Sequence, residues 1–365
     1  MLRANPNVEY ASRNIYLYAL GIDERYAEQW ALDYSEAFEA WGLFTGSSDI
    51  VVAIIDNGME FSHPDLQSNI WLNPGENGLD GYGNQRWNNG IDDDFNGKTD
   101  DYRGWDFGQG DNDPSHDSND NSSHGTEMAG NIGATWNDEG IRGINQSVSL
   151  MILKFTNTFP PPVTSKASHF INAIDYAISN GASIISCSQG FKTTDTGDDI
   201  KFEYLPFKQA IQRAQSRGVL FVAAAGNDGN SIEPEENRIY PASYDEDNII
   251  SVLATTIGDD LGNCDGFEEH YWPESNYGAY SVDIGAPGHC ILTTVTNGGY
   301  ALASGTSQAA PQVAGVAALL LGKCPALTYS ALKSRLMVSG DTLPTLQKSV
   351  YPAKDSTPTT HYTTL

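Results

Sequence analysis

The chain has 365 residues and carries 47 acidic against 20 basic side chains, a formal net charge of -27. Such an excess of acid excludes nucleic acid and an anionic membrane surface as expected partners, because both need a basic face. The length allows one large α/β domain or two small ones, and four cysteines with no Cys-x-x-Cys pair are too few for a disulfide framework.

Residues 1–25 read as a separate arm, ahead of a domain over 26–345 and a polar tail over 346–365. The opening MLRANPNVEYAS lacks the apolar centre of a signal peptide. Either the chain is intracellular, or a signal and pro-segment have been removed. No apolar run nears the roughly 20 residues of a membrane span. Ile50 to Ile55 is continuously apolar and predicts a buried parallel strand. Asp56 follows directly, where a carboxylate is costly unless it is partnered. Gly58 then signals a tight turn, so a turn-capping Asp56 is the competing reading.

Residues 80–120 are rich in Gly, Asn and Asp and have no hydrophobic period. They predict a long ordered loop or a disordered insert. Within them, Asp92-x-Asp94-x-Asn96-Gly97-x-x-Asp100 alternates oxygen ligands around a glycine turn, as calcium loops do. Arg103 stands where an EF-hand needs an acid, so the pattern is calcium-loop-like only. A solvated acidic loop is the alternative. His124 opens His-Gly-Thr at the start of a helix packed through small residues. A lone histidine is more often structural than catalytic.

Four more apolar runs predict strands: Val148 to Phe155, Ala182 to Cys187, Val219 to Ala225 and Ile249 to Ala254. Helical periodicity fills the gaps. In Ser165 to Asn180, Ala167, Phe170, Ile171, Ile174 and Ile178 share a face, and Gly181 is a stop signal. Leu205 to Arg217 repeats the pattern and closes at Gly218. The alternation predicts an α/β fold with its chemistry at the carboxyl ends of the strands. Cys187 reads as a small buried hydrophobe, while Cys264 and Cys290 have the option of pairing in an oxidising compartment. Asn227, after Ala223-Ala224-Ala225-Gly226, is either a turn residue or an amide donor. Ser307 lies in Gly305-Thr306-Ser307, ahead of the buried helix Val313 to Leu321. A serine there is usually a cap, but its backbone N–H also faces any developing oxyanion.

Asp56, His124, Asn227 and Ser307 say more together than apart. A serine hydroxyl needs a base to become a nucleophile, and imidazole has a suitable proton affinity near neutral pH. A carboxylate fixes its tautomer and stabilises the imidazolium. The motifs resemble those of the subtilase family: Ile54-Ile55-Asp56-Asn57-Gly58 with His63-Pro64-Asp65-Leu66, then His124-Gly125-Thr126, Ala225-Gly226-Asn227, and Gly305-Thr306-Ser307 with Ala309-Ala310-Pro311. The order Asp, His, Ser is that known for subtilisin and is carried over with the resemblance.

The resemblance runs from about Gln29 to Leu336. It implies a three-layer α/β/α fold with a central, mostly parallel sheet, and peptide-bond hydrolysis through an acyl-enzyme. Ser307 is then the nucleophile, His124 the general base and Asp56 its orienting carboxylate. Asn227 and the Ser307 backbone supply the oxyanion donors. Ser188, Gln189, Gly190, Ala225 and Gly226 bind substrate, the first three by strand addition. The resemblance also implies a calcium site from Gln29, Asp65 and Asn137, completed by carbonyls between Thr135 and Ile141. It implies a protein or peptide substrate, a monomer, and secretion after processing. Residues 1–22 then resemble the end of a pro-segment. Two departures stand out, Glu127 where a second histidine is common and Gln308 where methionine is common. Glu233, Glu235 and Glu236 hint at a pocket for basic residues, and Asn121 and Asn145 are glycosylation sequons. A sedolisin-like acid peptidase and a catalytically silent binding module are the rival readings.

Overall fold

The computed structural model describes residues 23–117, 122–157, 164–192, 204–257, 270–342 and 363–364. The arm over 1–22, the sequon at Asn121, Cys264 and almost all of the 346–365 tail lie outside these residues. Seven parallel strands build the main sheet: β1 (Gly46–Asp56), β2 (Gly104–Asp106), β3 (Ser147–Lys154), β4 (Ile184–Cys187), β5 (Leu220–Ala224), β6 (Ile249–Thr256) and β7 (Ile284–Pro287). Their order is β7-β6-β5-β4-β1-β3-β2. Two-residue strands extend this sheet, His270–Tyr271 antiparallel on β6 and Thr363–Thr364 parallel on β7.

Alternate residues of each strand point to opposite faces, and both faces are apolar. Val52, Ile54, Leu150, Ile152, Val222 and Val252 pack against α1 (His124–Gly133), α4 (Thr306–Lys323) and α5 (Tyr329–Ser339). Ala53, Ile55, Met151, Leu153 and Phe221 pack on the other side against α2 (Ala167–Ser179) and α3 (Tyr204–Ser216). This is the expected three-layer α/β/α fold. The five predicted strands are the five central ones. β2 and β7 were missed because they are only three and four residues long, too short to carry a recognisable apolar run.

The acidic stretch is folded, not loose, over the part described. It contributes β2, and Lys154 from β3 anchors it. That lysine is 1% exposed, with its Nζ 2.9 Å from Asp106 and 2.8 Å from Asp117. Cys187 is buried and free, Cys324 is free, and Cys290 is disulfide-bonded. The Asn145 sequon is a false signal. Its side chain is 1% exposed and donates to the carbonyls of Ile132 and Gly315, which leaves no room for a glycan.

Because β3 lies on one side of β1 and β4 on the other, the chain changes winding direction there. Such a switch opens a crevice at the carboxyl ends of the strands. Asp56 ends β1 at that crevice.

Candidate active site

Asp56 is 1% exposed, and its expected partner is the imidazole of His124. Nδ1 of His124 lies 2.8 and 2.9 Å from the two carboxylate oxygens, and the Asn57 N–H donates to Oδ1 at 2.8 Å. The bond to Asp56 engages Nδ1, which makes Nε2 the nitrogen that accepts a proton. The start of α1 is held in place by the loop after Asp56. Asn57 Oδ1 accepts from the Gly125 N–H, and Asn57 Nδ2 donates to the Ser122 carbonyl. A Cβ on Gly125 would sit 2.1 Å from the Gly58 carbonyl oxygen, so only glycine lets the two segments meet.

Ser307 is the second residue of α4, whose N-cap Gly305 has φ +147. Its hydroxyl donates to the Ser188 carbonyl at 3.3 Å. Pro311 inside α4 has no N–H for the carbonyl of Ser307 four residues earlier. The Ser188 hydroxyl takes over that role and donates to the Ser307 carbonyl at 3.0 Å. Ser307 and Ser188 are therefore linked in both directions.

Asn227 Oδ1 accepts from both the N–H and the hydroxyl of Thr306, at 2.8 and 2.9 Å. Two donors fix which end of the amide is oxygen. The nitrogen is then the end turned toward Gly305, where a Cβ would meet it at 3.2 Å. Asn276 holds the loop from behind. Its Oδ1 accepts from the N–H groups of Asp228 and Asn230, and its Nδ2 donates to the Ala225 carbonyl.

His124, Asn227 and Ser307 line one open cleft of about 530 Å³ with Ser188, Gln189, Gly190 and Gly226. Phe191, Lys192, Ala224, Ile239 and Thr306 complete its wall. Ala225 is not among the residues that line it, and its side chain is fully buried. The acidic trio after Asn227 also differs. Glu233 turns away to accept from the Tyr280 and Ser281 N–H groups, and none of Glu233, Glu235 and Glu236 lines the cleft. The charge that reaches the cleft is Lys192, paired with Asp228 at 2.5 Å. Sequence reasoning missed Thr306 and Asn276. Thr306 lay inside a quoted motif, but nothing local shows which amide it holds.

The sequence pattern of the Subtilase family matches residues 47–354. The chain belongs to the subtilase family. It is 31% identical to Subtilisin-like protease 1 of Plasmodium berghei (strain Anka), over 87% of this chain and 50% of that protein. It is 32% identical to the Thermophilic serine proteinase of Bacillus sp. (strain AK1), over 87% of this chain and 64% of that protein. This subtilase thus spans half to just under two thirds of the length of those relatives. A crystal structure of a lanthipeptide protease shares the fold, with a TM-score of 0.62, 22% identity and 86% coverage of each chain.

Two groups of oxygen donors bear on a cation in this subtilase. Glu76, Asp92 and Asp94 offer carboxylate oxygens within 4.8 Å of one another, the one such cluster among the described residues. Glu76 is fully buried, its Oε2 has no hydrogen-bond partner, and burial pushes its carboxyl up to about 7, with Asp101 and Asp94 adding repulsion. These donors fit a hard divalent cation. Of the other predicted ligands in this loop, Asn96 donates to Asp94 and Asp101, and Asp100 accepts from the Gly90 N–H. The donors at Gln29, Asp65 and Asn137 are satisfied within the protein. Gln29 pairs both ways with the Arg142 backbone, and Asn137 donates to Asp65 while accepting from the Glu139 N–H. Asp65 Oδ2 accepts from the Ile141 N–H. That set gives no independent sign of an ion.

Proposed function

We propose that this subtilase is a serine endopeptidase in which Ser307 is the nucleophile. The reading rests on one observation. The Asp56–His124 pair opens onto the same cleft as Ser307 and the Asn227 amide. In the proposed reaction, the Ser307 hydroxyl leaves the Ser188 carbonyl and gives its proton to His124 Nε2 as its oxygen attacks the scissile carbonyl. Asp56 stabilises the imidazolium that forms. The negative oxygen of the tetrahedral intermediate accepts from Asn227 Nδ2 and from the Ser307 N–H at the start of α4. His124 then protonates the leaving amine, and water reverses the sequence on the acyl-enzyme.

The substrate is an extended protein or peptide segment that pairs with the backbone of Ser188, Gln189 and Gly190. Phe191 and Ile239 contribute apolar side chains to a lining that is otherwise mostly polar. Glu76, Asp92 and Asp94 hold a calcium ion whose charge offsets the crowding of carboxylates in the insert. The disulfide at Cys290 supports passage through an oxidising compartment, hence secretion.

A fluorophosphonate tests the nucleophile directly, because it labels an activated serine and needs no knowledge of specificity. The chain takes up one label at neutral pH, and Ser307→Ala takes up none. Failure of the parent chain to label supports the silent module. Labelling only under acid conditions supports the sedolisin-like reading, which His124 paired to Asp56 argues against.

A further inference from the structure

The two departures from the family motifs, Glu127 and Gln308, are partners in the fold. Gln308 Nε2 donates to Glu127 Oε2 at 2.8 Å across 181 residues of sequence. Gln308 Oε1 accepts from Asn131 Nδ2 at 2.7 Å. Gln308 is 2% and Asn131 5% exposed, so the chain of bonds runs in a poorly hydrated layer where each is worth more than at the surface. Glu127 and Asn131 sit one turn apart on α1, three and seven residues after His124. Gln308 sits on α4, directly after Ser307. The bridge therefore joins the two helix ends that carry the imidazole and the hydroxyl.

We propose that Asn131, Gln308 and Glu127 form a positioning bridge that sets His124 against Ser307, and that the Glu127 carboxylate also favours the imidazolium form of His124. The inference rests on the endopeptidase reading above. The direction of the bridge needs a pure acceptor at its end. Asn131 donates, Gln308 accepts and donates, and only an ionised carboxylate accepts without offering a competing proton. Thr293 fixes the helix turn behind Glu127 by donating to its backbone carbonyl.

Charge accounts for the second role. Glu127 follows His124 by three residues on α1, the spacing that brings two side chains onto one helix face, and while burial raises the proton affinity of Glu127, His124 acts in the opposite sense. Among the described residues, the charge bonded to His124 is Asp56, at the end of β1. Lys154, beside Asp56 in the register of β3, is engaged by Asp106 and Asp117. The groups that α4 and the strand Ile291–Val295 set against α1 here, Gln308, Thr293 and Thr294, are uncharged. Glu127 is thus a further carboxylate acting on the imidazole, beside Asp56.

Three variants of the full chain separate the roles, read by kcat, KM, the pH profile of kcat/KM, and the rate of fluorophosphonate labelling. Glu127→Gln keeps an oxygen that accepts from Gln308 and removes the charge. The acidic limb of its profile should move to lower pH by about half a unit, because a lost neighbouring anion lowers the proton affinity of the imidazole. Gln308→Met and Glu127→Leu break the bridge. They should lower kcat by on the order of tenfold to a hundredfold, with KM nearly unchanged. Glu127→Gln, the mildest change, keeps the test alive if Glu127→Leu fails to fold. Wild-type kcat in Gln308→Met together with an unmoved acidic limb in Glu127→Gln, in chains that still label at Ser307, overturns the bridge alone. A parent chain that takes up no label overturns the endopeptidase reading as well.

Discussion

The exchange between Ser188 and Pro311 makes a sharp test of how Ser307, the proposed nucleophile, is held. In a regular helix the Ser307 carbonyl would accept from the N–H four residues on. Residue 311 is proline, and the Ser188 hydroxyl supplies the missing donor at 3.0 Å. Its other acceptor, the Met128 sulfur, is weak. Ser188 is only 9% exposed, so Ser188→Ala leaves a carbonyl with little water to replace the hydroxyl. The cost is about 1–3 kcal/mol. Pro311→Ala brings an N–H to the same carbonyl. By itself it changes little, because that acceptor is already satisfied. In the double variant the amide stands in for the hydroxyl, and most of the Ser188→Ala penalty disappears. The expected coupling is about 1 kcal/mol or more, against about 0.5 kcal/mol for independent sites. Urea unfolding of the four proteins measures it, each in a Ser307→Ala background that prevents self-digestion and keeps the carbonyl. Additive effects with unchanged m-values would refute the idea that the serine hydroxyl replaces the helical donor.

Lys154→Met leaves Asp106 and Asp117 without their cation and should cost about 3–5 kcal/mol, the range for breaking a buried ion pair from one side. At about 2.1 cal/mol/K per residue of unfolding entropy, the melting temperature of 365 residues falls by about 4–7 °C. A change under 1 °C would count against it. Chelation should lower the melting temperature of the parent chain and leave Glu76→Gln almost unaffected, since a ligand held only by the folded state at a hundred times its Kd adds about 2.7 kcal/mol. Equal responses in the two proteins would place the ion elsewhere. Asn227→Ala should lower kcat about 10²–10³-fold with KM little changed, as loss of the oxyanion asparagine does in subtilisin. Loss confined to KM would remove Asn227 from the oxyanion site. Peroxide should inactivate slowly, because Gln308 stands beside Ser307 where the family commonly has a thioether, Met128 is 1% exposed, and burial pushes the Cys187 thiol up to about 12. Rapid loss of labelling in peroxide contradicts this.

The parts of the fold that were legible share a physical cause. A strand covered by helices on both faces must be apolar at every position, so β1, β3, β4, β5 and β6 stand out from any partner they have. β2 and β7 are only three and four residues long and carry no such mark. The site motifs were legible because close approach needs particular residues, as Gly125 against Gly58 illustrates. What stayed hidden was pairing across the chain. Glu76 lies 16 residues ahead of Asp92, outside the spacing that suggested a calcium loop. Glu233 was placed beside the pocket because nothing local says which way an acidic loop turns. The sequon at Asn145 is blind to burial.

Yet the hidden pairings left a trace in residues that break a local expectation. Asp56 and Lys154 are charges at the ends of apolar strands, and each is matched by a partner from a distant loop or helix. Pro311 is a proline inside a helix, and its missing donor is supplied by Ser188. Glu127 and Gln308 depart from the family at two positions, and each is the other's hydrogen-bond partner. A residue that costs free energy locally persists where tertiary structure compensates it, so local inconsistency points to a contact. In this subtilase the contacts of Asp56, Pro311 and Gln308 gather beside the cleft, because the end of β1, the first turn of α1 and the first turn of α4 meet there.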